Sequence, residues 1–164
     1  MARAVIPAIL AKSEKDFVKK FEKIKAFAPI IHVDIMDGIF VPNNTWADPK
    51  KVPGILGNIP FEVHLMVHEP HQAITSWLKA GAARVIFHAE AVADEVAVCE
   101  SFANDCEKLM VAINPGSALP KLFPAFGAFH QFMVMGVEPG WSGQVFNAGV
   151  LEKISTLRLH NLMQ

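Results

Sequence analysis

Six short apolar runs, beginning near residues 5, 30, 61, 84, 108 and 131, alternate with amphipathic stretches, and no other feature of this sequence restricts its fold as strongly. Intervals of 23 to 31 residues suit a strand, a helix and a return to the next strand. That rhythm requires parallel strands joined by crossover helices. Strands are expected at 5–10, 30–36, 61–67, 84–89, 108–114 and 131–137. Helices are expected at 12–27, 49–56, 70–80, 91–104, 117–126 and 147–159. In the first helix Phe17, Phe21, Ile24 and Phe27 recur at helical spacing. Ser13 is its N-cap, with Asp16 three residues on as a weak capping-box partner.

Six such units belong either to a doubly wound open sheet or to most of an eight-unit (β/α) barrel. The polar residues decide. His32 and Asp34 on the second strand, His64 on the third, His88 on the fourth and Asn114 at the end of the fifth all fall toward the C-terminal halves of their strands. Barrel enzymes place their chemistry there. No GxGxxG follows the first strand, so a dinucleotide-binding sheet loses its main support. The fold class is α/β, a TIM-type barrel with six of eight strand–helix units present. No composition shift marks a linker, and residues 1–164 read as a single partial barrel domain.

Composition agrees with strands covered on both faces. Hydrophobic residues make up 52% and charged residues only 19%, with a mean hydropathy of +0.30. A net charge of −1, with no Lys or Arg run longer than a pair, argues against nucleic acid or an anionic membrane as a partner. No apolar run approaches the roughly 20 residues of a membrane span, and the N-terminus lacks the apolar segment of a signal peptide. A cytoplasmic enzyme is expected. Cys99 and Cys106, seven apart in a helical stretch, are expected as two reduced, half-buried thiols.

The chemistry concentrates on two strands. By period-two alternation His32, Asp34 and Met36 share one face of the second strand, and Glu62, His64 and Met66 share one face of the third. An unpaired charge buried in an apolar strand costs several kcal/mol, and a divalent cation relieves that cost. His32, Asp34 and His64 form a two-histidine, one-carboxylate set suited to Zn²⁺ or another divalent metal. His88 alone reads as a hydrogen-bonded core histidine, and Met36, Met66 and Met135 as core filler. Asp37 lies on the face opposite Asp34 and precedes Gly38, which gives it a turn role. Glu62 has no assigned role.

Three stretches carry a resemblance. They are His32-Val33-Asp34-Ile35-Met36-Asp37-Gly38-Ile39-Phe40-Val41-Pro42-Asn43, then Val63-His64-Leu65-Met66-Val67, and finally residues 135–146, which read MGVEPGWSGQVF. In this order they resemble the ribulose-phosphate 3-epimerases, and the likeness runs from Pro7 to Ile154. The resemblance implies an eight-stranded barrel that inverts C3 of D-ribulose 5-phosphate to give D-xylulose 5-phosphate. It implies His32, Asp34 and His64 as metal ligands, with Asp34 also the base that takes the C3 proton. His64 also contacts substrate, and Met36, Met66 and Met135 floor the site. Gly140, Trp141, Ser142 and Gly143 form a mobile loop that closes over the sugar phosphate. One divalent metal is implied, zinc foremost, with iron, manganese or cobalt also compatible. The complete form is expected as a homo-oligomer.

Three departures from that family stand out. Ala8 replaces a usual serine, and Trp141 and Ser142 replace a usual phenylalanine and glycine. The chain also ends at Gln164, before the two units that carry, by resemblance, a Val-Asp-Gly-Gly strand and a phosphate-holding turn. That aspartate is implied as a fourth ligand and as the acid on the opposite face of C3. A truncated form is therefore expected, with exposed strand edges and with epimerisation incomplete for want of a second acid. Two other readings stand beside it: a hexulose 6-phosphate 3-epimerase, such as one acting on allulose 6-phosphate, and an inactive fragment kept for binding or assembly.

Overall fold

The computed structural model describes residues 5–162. Six parallel strands form one sheet in chain order: β1 (Ala8–Ile9), β2 (Ile31–Met36), β3 (Phe61–Met66), β4 (Arg84–His88), β5 (Leu109–Ile113) and β6 (Phe132–Val134). Five helices accompany them: α1 (Glu14–Ile24), α2 (Val52–Leu56), α3 (His71–Lys79), α4 (Glu95–Ser101) and α5 (Val150–Leu162). The sheet is α/β and open, with β1 and β6 at its two sides. None of the described helices is long and apolar enough to cross a membrane.

Strand alternation sorts the two faces. Ile31, Val33, Phe61, Val63, Leu65, Val85, Phe87, Leu109, Val111 and Ile113 pack with Phe17 and Phe21 of α1, Ile74 and Trp77 of α3 and Val98 of α4 into one buried cluster. The opposite face is different. In-register pairing sets His32 beside Glu62, Asp34 beside His64 and Met36 beside Met66, and then His64 beside Ile86 and His88 beside Ala112. Polar and sulfur-bearing side chains therefore line up in layers on this face, and the apolar bulk that holds the sheet to its helices lies on the other.

Several expected boundaries move. Both outer strands are short, and each has a ladder partner on one side only: β1 with β2, and β6 with β5. The helix expected at 117–126 is a run of 3₁₀ turns, Leu119–Gly127. Pro124, inside the run, lacks the N–H that an α-helix would bond to the Pro120 carbonyl. Ser13 does cap α1, its side chain accepting the Asp16 N–H at 3.2 Å. The carboxylate of Asp16 reaches back to the N–H of Lys12, one residue before the cap.

The helix expected at 91–104 shrinks to α4, capped by Asp94, whose carboxylate accepts the N–H groups of Val96 and Ala97. Its early end corrects the expectation for the cysteines. The chain turns back after Ser101, and Cys106 returns over Cys99 with a Cα–Cα separation of 5.2 Å, where the two are joined as a disulfide. The two reduced thiols expected from sequence are thus a cross-link between the end of α4 and the approach to β5.

Candidate metal centre and active site

The central layer of the polar face holds the chemistry. One Asp34 carboxylate oxygen, Oδ1, lies 3.1 Å from His64 Nδ1 and 3.3 Å from His32 Nε2. One ligand atom from each of the three residues falls within 4.8 Å of the others. Zinc bonds of about 2.0–2.1 Å in tetrahedral array place neighbouring donors roughly 3.3 Å apart. The two observed edges match that spacing, so the residues fit a divalent cation.

The two histidines are held in different ways. His32 Nδ1 sits 2.6 Å from Glu62 Oε1, and Arg84 Nη1 sits 3.1 Å from the other Glu62 oxygen. With Nδ1 donating to Glu62, the His32 Nε2 lone pair can face a cation; such carboxylate partners orient metal-binding imidazoles. Glu62 was the carboxylate without a role in the sequence. Its partnership depends on the β2–β3 register and on an arginine one strand further, and neither shows in a local motif. His64 Nε2 lies 2.8 Å from His88 Nε2, with the two ring planes 23° apart.

Burial and neighbours pull the titrations apart. Burial works against charge on His32, but hydrogen bonds to Asp34 and Glu62 prevail and raise it to about 9. Burial likewise works against the Asp34 carboxylate, yet the hydrogen bonds to His32 and His64 hold it well below the ordinary carboxylate range. Fully buried, His64 drops to about 4, a fall that Asp34 only partly offsets. It is therefore neutral at pH 7, the form that ligates a metal. Glu90 comes down to about 2: burial opposes its charge, and His88, Ser117 and the Asn114 N–H outweigh burial.

Above this layer is a cavity of about 190 Å³ lined by Asp34, His64, the three methionines Met36, Met66 and Met135, and residues 137–142. Gly140, Trp141 and Ser142 are thus brought to the same cavity as Asp34 and His64. Gly143 is exposed and outside this lining, with φ +76°, and His32 lies beneath rather than in the wall. Asp37 stands apart in the turn, accepting the N–H groups of Ile39 and Phe40 at one oxygen and that of His68 at the other.

The loop that roofs the cavity is fastened to the β2 side. Asn43 Nδ2 donates to the Gly140 carbonyl at 2.6 Å, Lys12 Nζ bonds the Asn43 side chain, and Lys12 also stands 5.9 Å over the Trp141 ring. Gly140 is buried with φ +117°, and a Cβ there meets Val41 at 3.3 Å. Sequence reasoning identified the glycines but missed Lys12 and Asn43, which no periodic signal connects to a loop so far along the chain, 97 residues on from Asn43.

The ribulose-phosphate 3 epimerase family model matches residues 4–163. The chain is 36% identical over 162 residues to a ribulose-phosphate 3-epimerase of Mycobacterium leprae, an overlap of 96% of this chain and 70% of that protein. It is 32% identical over 157 residues to that of Bacillus subtilis, covering 94% and 72%. To the chloroplastic ribulose-5-phosphate-3-epimerase of Arabidopsis thaliana it is 35% identical over 164 residues, covering 94% and 56%.

Proposed function

The chain belongs to the ribulose-phosphate 3-epimerase family, and from that premise we propose that it acts on D-ribulose 5-phosphate at C3, toward D-xylulose 5-phosphate. One observation supports the reading most: the Asp34 carboxylate and the His64 imidazole stand 3.1 Å apart in the wall of one small cavity. In this reading Asp34 takes the C3 proton from one face of the sugar. Hydrogen-bonded to two histidines, it is a weak base, so the negative charge left on the substrate has to be strongly stabilised. His32, Asp34 and His64 would hold a divalent cation, which would supply that stabilisation as a Lewis acid, zinc foremost, with iron, manganese or cobalt also suited to the donor set.

The remaining residues bind and enclose. Met36, Met66 and Met135 set polarisable sulfur against the reacting carbons and keep water out of the cavity floor. Gly140, Trp141, Ser142 and Gly143 cover the sugar phosphate, with Lys12 and Asn43 fixing the loop in place. Arg84 and Glu62 keep His32 oriented.

The test is hydrogen exchange at C3 of D-ribulose 5-phosphate in D₂O, followed by NMR alongside conversion to D-xylulose 5-phosphate. Exchange is expected with zinc, is lost on chelation and returns when metal is restored. No exchange in the metal-restored protein contradicts the reading. The same assay with allulose 6-phosphate compares kcat/KM for the pentulose and the hexulose.

A further inference from the structure

Behind His64 runs a second line of polar groups that the proposed reaction does not use. His88 is fully buried. Its Nε2 faces His64 Nε2 at 2.8 Å, and its Nδ1 faces Glu90 Oε2 at 3.4 Å. At that distance no hydrogen bond joins them, and neither His88 Nδ1 nor Glu90 Oε2 has a hydrogen-bond partner among the described residues. The other Glu90 oxygen is pinned, accepting the Asn114 N–H at 2.9 Å and the Ser117 hydroxyl. Asp34, His64, His88 and Glu90 thus form a chain across three strands and the loop beyond β4, with a carboxylate at each end.

A contact between two imidazole nitrogens holds one proton, and its placement has consequences at both ends. With the proton on His64 Nε2, His88 accepts it, His88 Nδ1–H points at the Glu90 carboxylate, and His64 Nδ1 keeps a free lone pair beside Asp34. With the proton on His88 Nε2, the Nδ1 lone pair of His88 confronts a carboxylate in a buried site, and His64 Nδ1–H closes on Asp34. The first arrangement leaves both Asp34 and His64 Nδ1 open to a cation. The second blocks it.

We propose that Glu90, acting through His88, is a positioning residue that holds His64 in the Nε2-protonated tautomer and so keeps its Nδ1 available as a metal ligand. This rests on the reading of His32, Asp34 and His64 as ligands and extends it by two residues outside the ligand set. Carboxylates that orient a ligating histidine directly contribute about 10–100-fold in metal affinity. Here the carboxylate acts through one intervening ring.

Glu90→Gln tests the relay with little change of shape. The amide oxygen still accepts from Asn114 and Ser117, while the NH₂ group donates to His88 Nδ1 and favours the blocking tautomer. Zinc affinity, measured by competition with a coloured chelator, is expected to fall about 10–100-fold while the far-ultraviolet spectrum stays unchanged. Equal affinity in E90Q and the unmutated protein overturns the relay and leaves the metal reading standing. Failure of the unmutated protein to bind zinc overturns both. Should E90Q fail to fold, ¹⁵N-histidine NMR of the unmutated metal-free protein decides: His64 protonated at Nε2 and His88 at Nδ1 supports the relay, and His88 protonated at Nε2 overturns it.

Discussion

Asp34 and His64 meet side by side, Oδ1 to Nδ1 at 3.1 Å, from neighbouring strands whose register pairs these two residues directly. They are 30 residues apart in the chain, so the contact exists only because a crossover returns β3 parallel to β2. Both line the cavity, the carboxylate being the more exposed of the two.

Replacing that carboxylate separates proton abstraction from folding. Asp34→Asn keeps the shape and removes the base, and C3 hydrogen exchange of D-ribulose 5-phosphate is expected to fall by about 10²–10⁴-fold. NMR in D₂O measures it directly. A loss below tenfold takes the role of base away from Asp34.

Metal-free protein is expected to be most stable near pH 6.5. His32 titrates near 6.5 when unfolded and about 9 when folded, so between those values the folded state binds more protons and stability falls as pH rises. His64 runs the other way, at about 4 folded. Below 6.5 the unfolded state takes up the proton first, and stability falls as pH drops. Glu90, at about 2 folded against 4.5 unfolded, adds to the acid limb below 4.5. Urea midpoints in chelator across pH 4 to 9 check this, and a curve still rising from pH 7 to 9 contradicts the His32 assignment.

How much of this was legible beforehand depends on which interactions are local. Period-two alternation alone puts His32 with Asp34 and Glu62 with His64 on common faces, and parallel pairing of adjacent strands then brings the sets together. The contribution of Glu62 was not legible, because its partners His32 and Arg84 belong to two other strands and the register comes from packing. The same holds for His88, which reads as a core histidine until its nitrogen is seen against His64. The 3₁₀ run Leu119–Gly127 was foreshadowed by Pro124, but apolar spacing drew the helix assignment.

Gly140 is where the roofing loop tolerates least. Alanine there combines a left-handed φ with a Cβ pressed on Val41, a strain of about 1–3 kcal/mol. The outcome expected for Gly140→Ala is a raised KM for sugar phosphate with zinc affinity unchanged, since no ligand moves. Unaltered KM is the result that removes this loop from substrate binding.

The Cys99–Cys106 cross-link makes a chemical prediction of its own. In native protein both sulfurs should resist alkylation until reductant is added, as read by intact-mass spectrometry. Closing so short a loop is worth about 2–3 kcal/mol on the chain-entropy view, and the urea midpoint should drop on reduction by a corresponding amount. Two freely alkylated cysteines in unreduced protein restore the thiol reading made from sequence.

The central claim is that His32, Asp34 and His64 share one cation, and anomalous diffraction at the zinc absorption edge tests it most directly. A single strong peak is expected about 2.0–2.2 Å from a nitrogen of His32, an oxygen of Asp34 and a nitrogen of His64. A zinc-loaded crystal whose anomalous peaks all lie away from these three side chains contradicts the account.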